Sequence, residues 1–157
     1  MNYKFGFSLL ILLLLCSSCF ADNDKSNDWR TYCPSENFCF EHPNNLKVLP
    51  TQPIDSIAGK LQSENANLYF DLGSYPTNLS QFQQARTSVV AVDGHKGKLF
   101  ILPNALALTV SPLNNIAHLT MIINFDESSS ASSHDYYQKV FHSITLQGPF
   151  KAGNPQN

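Results

Sequence analysis

Histidine is the side chain this sequence offers most readily for acid–base or metal chemistry. There are five, at His42, His95, His118, His134 and His142. No two stand at the short spacing that puts paired imidazoles on one metal ion. His118 falls on the less apolar face of an alternating stretch and His134 lies among serines, positions that read as solvated or capping. His134-Asp135 beside that serine run suggests a base and its orienting acid near a nucleophile. No Gly-x-Ser-x-Gly elbow is present to expose one serine, however, and polyserine reads as a loop. Asp126-Glu127 is a carboxylate pair, but neighbours in a loop are solvated, whereas paired glycosidase carboxylates come from different elements. Asp93-Gly94-His95-Lys96-Gly97 lacks the strand-to-helix setting and terminal Lys-Ser/Thr of a phosphate loop. These residues define no catalytic, cofactor-binding or metal site.

Cysteine gives a firmer reading. Of four cysteines, Cys33 and Cys39 stand apart from Cys16 and Cys19 near the N-terminus. An isolated pair in an oxidising compartment is most simply a disulfide. The spacing lacks the two-residue interval of a redox motif, and no further ligands follow at zinc-site distances.

The compartment itself is read from the N-terminus. Lys4 precedes an uncharged apolar run over residues 5–15, too short to span a bilayer and of the length of a secretory signal. Ala21, just before Asp22, is the expected cleavage point, making residues 1–21 a signal peptide. Cys19 is an alternative end, as the lipid-accepting cysteine of a lipoprotein, although Cys16 occupies the position where a lipobox wants an aliphatic residue. Lipidation would tie the chain to a membrane by its acyl chains alone. Removing 21 residues from 157 leaves 136, enough for one domain and too few for two. Loss of Lys4 takes the formal charge from −2 to about −3, spread without blocks, so nucleic acid and polyanions are excluded as partners.

The elements that must position any site follow from periodicity. Residues 22–32 read as a flexible leader, with Trp29 and Tyr32 as its first core contacts. A turn over residues 33–37 leads to a strand carrying Phe38 and Phe40, ended by Pro43. Residues 58–64 and 68–75 form a hairpin, and residues 78–86, with Leu79 and Phe82 at helical spacing behind Asn78 or Ser80, form a short middle helix. Residues 89–92 and 98–102 flank a tight turn at Asp93-Gly94. The clearest alternation spans residues 105–125: Leu106, Leu108 and Val110 share a face, as do Leu119, Met121, Ile123 and Phe125. Tyr137, Val140, Phe141 and Ile144 then recur as one face of a C-terminal helix. Residues 148–157 read as a loose tail. The expected fold is α+β: one domain over residues 33–147, a single antiparallel β-sheet with the short middle helix and the C-terminal helix packed on its faces.

This pattern resembles the PsbP-like fold family of small exported proteins and lipoproteins. The residues that carry it are Phe38-x-Phe40-x-x-Pro43, the Val-x-Val-x-Gly hairpin over residues 90–94, and a closing amphipathic helix with Tyr136-Tyr137. His42 and Leu46 depart from the family's usual aromatics, and the cysteine pair is not a general family feature. The resemblance implies an α/β/α sandwich and a binding, assembly or accessory role at membranes rather than catalysis.

The functional expectation is therefore an exported non-enzymatic binding or accessory protein of the cell envelope, inhibitor- or immunity-like, with a protein partner and no cofactor. Trp29, Tyr32, Tyr69, Tyr75, Tyr136 and Tyr137 either line its partner surface or pack beneath the helices. The alternative is a small exported hydrolase in which His134 or His95 meets a nearby Asp and a nucleophile.

Overall fold

The computed structural model describes residues 28–114, 116–126 and 131–152. The signal stretch with Cys19 and Ala21, leader residues 22–27, residues 127–130 of the serine run and tail residues 153–157 lie outside the described residues.

Two antiparallel sheets are present, where the periodicities led us to expect one. The larger has seven strands: β3 (Lys47–Leu49), β4 (Ile57–Gln62), β5 (Ala66–Gly73), β6 (Arg86–Val92), β7 (His95–Leu102), β8 (Ala105–Leu113) and β9 (Ala117–Phe125). Their spatial order is β3-β4-β5-β9-β8-β7-β6, so the hairpin over residues 105–125 sits at the centre. The smaller sheet, ordered β1-β2-β10, joins β1 (Trp29–Ser35), β2 (Phe38–Pro43) and β10 (Thr145–Leu146). The one α-helix among the described residues, α1, is Ala131–His142.

The larger sheet has one face that is apolar over its central strands. Leu68, Phe70 and Leu72 of β5, Leu119, Met121, Ile123 and Phe125 of β9, Leu106, Leu108 and Val110 of β8 and Leu99 of β7 are all buried there. The smaller sheet and α1 cover this face: Phe38 and Phe40 come from β2, and Tyr137, Val140 and Phe141 from the helix. Phe70 lies among Phe38, Phe40 and Tyr32, with ring centroids 5.7, 5.5 and 6.1 Å away. Ser143 fastens the end of α1 to β2, since its hydroxyl donates to the Val140 carbonyl and accepts from the Glu41 amide at 2.8 Å.

Three expectations need correction. The short middle helix is a single 3-10 turn, Ser80–Phe82, and Arg86 already belongs to β6. Its amides reach back three residues, Phe82 to Leu79 and Ala85 to Phe82. So short a segment cannot recover the cost of helix nucleation, and the burial of Phe82 against Phe100 holds it in place instead. The leader ends earlier than expected, because residues 29–32 pair with β2 and Trp29 packs on Tyr136 at 5.1 Å. Finally, Gly148–Phe150 of the tail forms a second 3-10 turn, tied by the Gln147 amide to the Asn37 carbonyl.

Candidate binding face

The chemistry-bearing side chains can now be placed. His134 Nε2 lies 2.8 Å from the Leu102 carbonyl, with its ring edge-on to Phe125. His95 Nε2 lies 2.8 Å from the Phe150 carbonyl. A carbonyl only accepts, so each of these nitrogens carries the proton and donates. Both histidines fasten elements together: α1 to the end of β7, and β7 to the C-terminal turn. Among the described residues, the hydrogen bonds of these two ring nitrogens go to backbone carbonyls and not to a nucleophile. His42 is buried between Tyr32 and Phe40 and donates from Nδ1 to the Pro43 carbonyl at 2.8 Å. Burial holds its pKa below the ordinary histidine value; the Pro43 carbonyl opposes this, and the Arg30 and Lys47 charges reinforce it. His142 is exposed at the end of α1.

The fifth histidine is the one that meets a hydroxyl. Ser111 Oγ and His118 Nδ1 lie 2.6 Å apart across the bulge where β8 and β9 change register between Val110 and Leu113. Seven positions apart in sequence, they stand next along the strands from Val110 and Leu119, the last regular pair before the shift. A serine–histidine pair acts as nucleophile and base when a third group orients the imidazole and donors await the oxyanion. No carboxylate is hydrogen-bonded to His118 among the described residues, and the pair is exposed. As it stands, the pair holds two strands together at a bulge.

Asp93 and Gly94 make the β6–β7 turn, both with positive φ (45° and 82°), the conformation that matches the twist of a two-residue hairpin. Asp93 Oδ2 accepts from the Leu146 amide at 2.7 Å, which makes the turn a junction with β10. Cys33 and Cys39 are disulfide-bonded, with Cα atoms 4.1 Å apart. This fits an oxidising setting.

What remains open is the other face of the seven-stranded sheet. Phe82, Ala105, Ala107 and Ile122 form a small second core there beneath the Ser80–Phe82 turn. Beyond that patch the face is polar. One row crosses four strands: Asp71 opposes Thr120, Thr120 opposes Thr109, and Thr109 opposes Lys98. The row therefore starts at a carboxylate, passes two hydroxyls and ends at an ammonium. Thr77 donates to Asp71 Oδ2 at 3.2 Å, while Asp71 Oδ1 is buried without a partner. Tyr69, beside it, has its pKa raised, first by burial and then by the Asp71 charge and hydrogen bond. At the other end, the Lys98 ammonium sits 4.9 Å from the centre of the Phe100 ring, which orients it.

A groove of about 500 Å³ runs over β6, β7 and β8 at this basic end, lined by Thr87, Val89, Lys96, Lys98, Thr109 and Ser111 among others. Of its residues only Lys96 and Gly97 drew notice in the sequence, within a segment that lacks the setting of a phosphate loop. The available signal was the alternation of Lys96 and Lys98 with apolar Leu99, which places both lysines on the face away from the core. Of the six aromatics considered for a partner surface, Tyr69 opens onto this face and Tyr75 is exposed, whereas Tyr137 is buried against Phe125. Among the described residues no group of three or more metal-ligating side chains converges, and no helix is long and apolar enough to cross a membrane. No protein-family model and no curated protein matches this chain.

Proposed function

We propose that the chain is an exported, non-enzymatic binding or accessory protein of the cell envelope that engages a protein partner through the open face of its larger sheet. The observation that carries this reading is the asymmetry of that sheet. One face is sealed by a second sheet and a helix. The other presents Lys96, Lys98 and a line of hydroxyls over a groove, with little covering it. The groove is shallow and open, with hydroxyl and ammonium groups set in a largely apolar lining, which suits a macromolecular surface better than an enclosed small molecule. An inhibitor- or immunity-like role fits the same geometry, because such proteins act by presenting a surface. The PsbP-like reading belongs to this proposal too. Its support is the Phe38-x-Phe40 strand, the hairpin over residues 90–94 and the closing helix with Tyr136-Tyr137.

The test is capture from the native envelope by the wild-type chain and by a Lys96→Glu/Lys98→Glu variant, side by side. A partner retained by the wild type and lost from the charge-reversed chain is the expected result. Equal capture by both, or none by either, overturns the reading. Mass spectrometry of the mature N-terminus distinguishes a start at Asp22 from an acylated Cys19.

A further inference from the structure

Each sheet has two edges, and three of the four are blunted against further strand pairing. β3 spans three residues, carries Lys47 and is followed by Pro50. β10 spans only two. β1 is broken by a register shift between Tyr32 and Ser35 and carries Arg30. These are the devices by which soluble proteins protect sheet edges. β6 has only one of them, a charge at its first residue, Arg86. It is seven residues long, Arg-Thr-Ser-Val-Val-Ala-Val, paired to β7 in unbroken register, with no proline and no lysine. Residues 86–89 are exposed, Val89 to 66 %.

The backbone groups at this edge can be assigned. Val92 and His95 flank a two-residue turn, so they exchange both amide bonds, and the ladder alternates from there. Val90, Ser88 and Arg86 therefore bond to β7, while Thr87, Val89 and Ala91 aim their N–H and C=O groups away from the sheet. Among the described residues, none of these three makes a backbone bond outside the ladder.

We infer that β6 is a self-pairing edge, on which a second copy of this chain adds its own β6 antiparallel about a two-fold axis through Val89. A two-fold axis normal to the sheet keeps each face continuous and requires opposed residues to share a face. With Val89 facing Val89, Thr87 faces Ala91 of the second copy, so the three outward-aimed residues meet in one hydrogen-bonding register. Ser88 then faces Val90, an uncharged pair on the opposite face. Arg86 of each copy lands one residue from Asp93 of the other, which sets opposite charges together at both ends. The Lys98 residues of the two copies stand three strand spacings apart, about 14 Å, beyond the screening length of about 8 Å at physiological salt. Like charges therefore do not oppose the pairing. The result is a continuous fourteen-stranded sheet in which the two basic grooves lie side by side across the axis. Strand pairing alone is a small interface, so the association depends on concentration.

The test uses purified protein with no partner present, so it is independent of the functional reading above. Sedimentation across a concentration series is expected to show wild-type monomer giving way to a species of twice the mass. Val89→Pro removes one outward-aimed N–H while sparing the bonds to β7, a placement proline tolerates on an edge. Val89→Lys sets two ammonium groups against each other at the axis. Both variants are expected to stay monomeric at every concentration, with circular dichroism unchanged. Val89→Cys is expected to crosslink the copies at that position under mild oxidation, while Ser88→Cys and Val90→Cys separately do not. A wild type that stays monomeric overturns the inference. So does a dimer that survives both Val89 variants, or one that Val89→Cys fails to crosslink.

Discussion

Gly59 on β4 faces Phe70 on β5, and the phenyl ring lies across the glycine. A methyl group added at Gly59 would stand 2.6 Å from Phe70 Cε1, with Cζ closer still. Carbon atoms prefer about 3.5–4.0 Å, so the ring would have to move by about 1 Å. It has nowhere to go, because Phe38, Phe40 and Tyr32 hold its other sides and none of the three phenylalanines has any exposed surface. Overpacking of this kind costs about 1–3 kcal/mol. Against it stands the lower unfolded-state entropy of alanine, which returns about 0.4–1 kcal/mol. Gly59→Ala is therefore expected to destabilise by about 1–2 kcal/mol, measured by urea unfolding with an unchanged m-value. Phe70→Ala alone should cost about 3–5 kcal/mol. In that background the methyl at position 59 enters empty space, so the same substitution becomes neutral or mildly stabilising. The double-mutant cycle should then show a coupling above about 1 kcal/mol. A Gly59→Ala effect of equal size in both backgrounds would refute the idea that the ring–glycine contact sets the cost.

Two further outcomes are expected. Replacing both Cys33 and Cys39 by serine should lower stability by about 2 kcal/mol, from the entropy of the short loop they close; a thiol titration of the native protein that finds both sulfurs reactive would contradict the bond itself. His42 should make stability pH-dependent on the acid side. Its folded pKa is lowered, so the unfolded chain takes up a proton first, near about 6.5, and stability falls as pH drops from there toward the folded pKa. The slope for one proton is at most about 1.4 kcal/mol per pH unit, and His42→Phe should remove that contribution; an unchanged acid limb in the variant would show that other groups produce it.

Patterns of local origin were legible in the sequence. The alternation over residues 105–125 placed Leu106, Leu108 and Val110 on the same buried face as Leu119, Met121, Ile123 and Phe125, where the structure also has them. The helix face of Tyr137, Val140 and Phe141 is likewise buried, because a 3.6-residue period needs only neighbouring residues to declare itself. What could not be read depends on distant pairing. β1 is polar and takes its order from the ladder with β2, so residues 29–32 carry no alternation to see. A second sheet could not be told from one, since nothing in Phe38 or Phe40 says which strands flank them. The middle segment was misread because Leu79 and Phe82 at helical spacing also satisfy a single 3-10 turn over the second core. Ser111 and His118 meet because the register that pairs Val110 with Leu119 sets them opposite one another, and register is a property of two strands that neither residue declares alone. The open face with Lys96 and Lys98 was hidden for a simpler reason: alternating lysines look like any solvated strand until the cover on the other side is known.

The smaller sheet is built from both ends of the described chain: Cys39 pairs with Thr145, and Phe38 with Leu146. During synthesis from the N-terminus, every strand of the larger sheet is available before β10 exists. Phe38 and Phe40 must then wait through the making of about a hundred further residues for the strand that flanks them, and contacts of such long range are slow to form. A nascent chain at that stage holds two fully buried aromatic residues in reserve. Closure comes after α1, when Leu146 joins Phe38, its amide reaches Asp93, and Gln147 bonds to Asn37. β10 thus acts as a completion signal, and a product cut short before Thr145 would carry the whole large sheet with an unfinished apolar seam, the kind of species that chaperones retain.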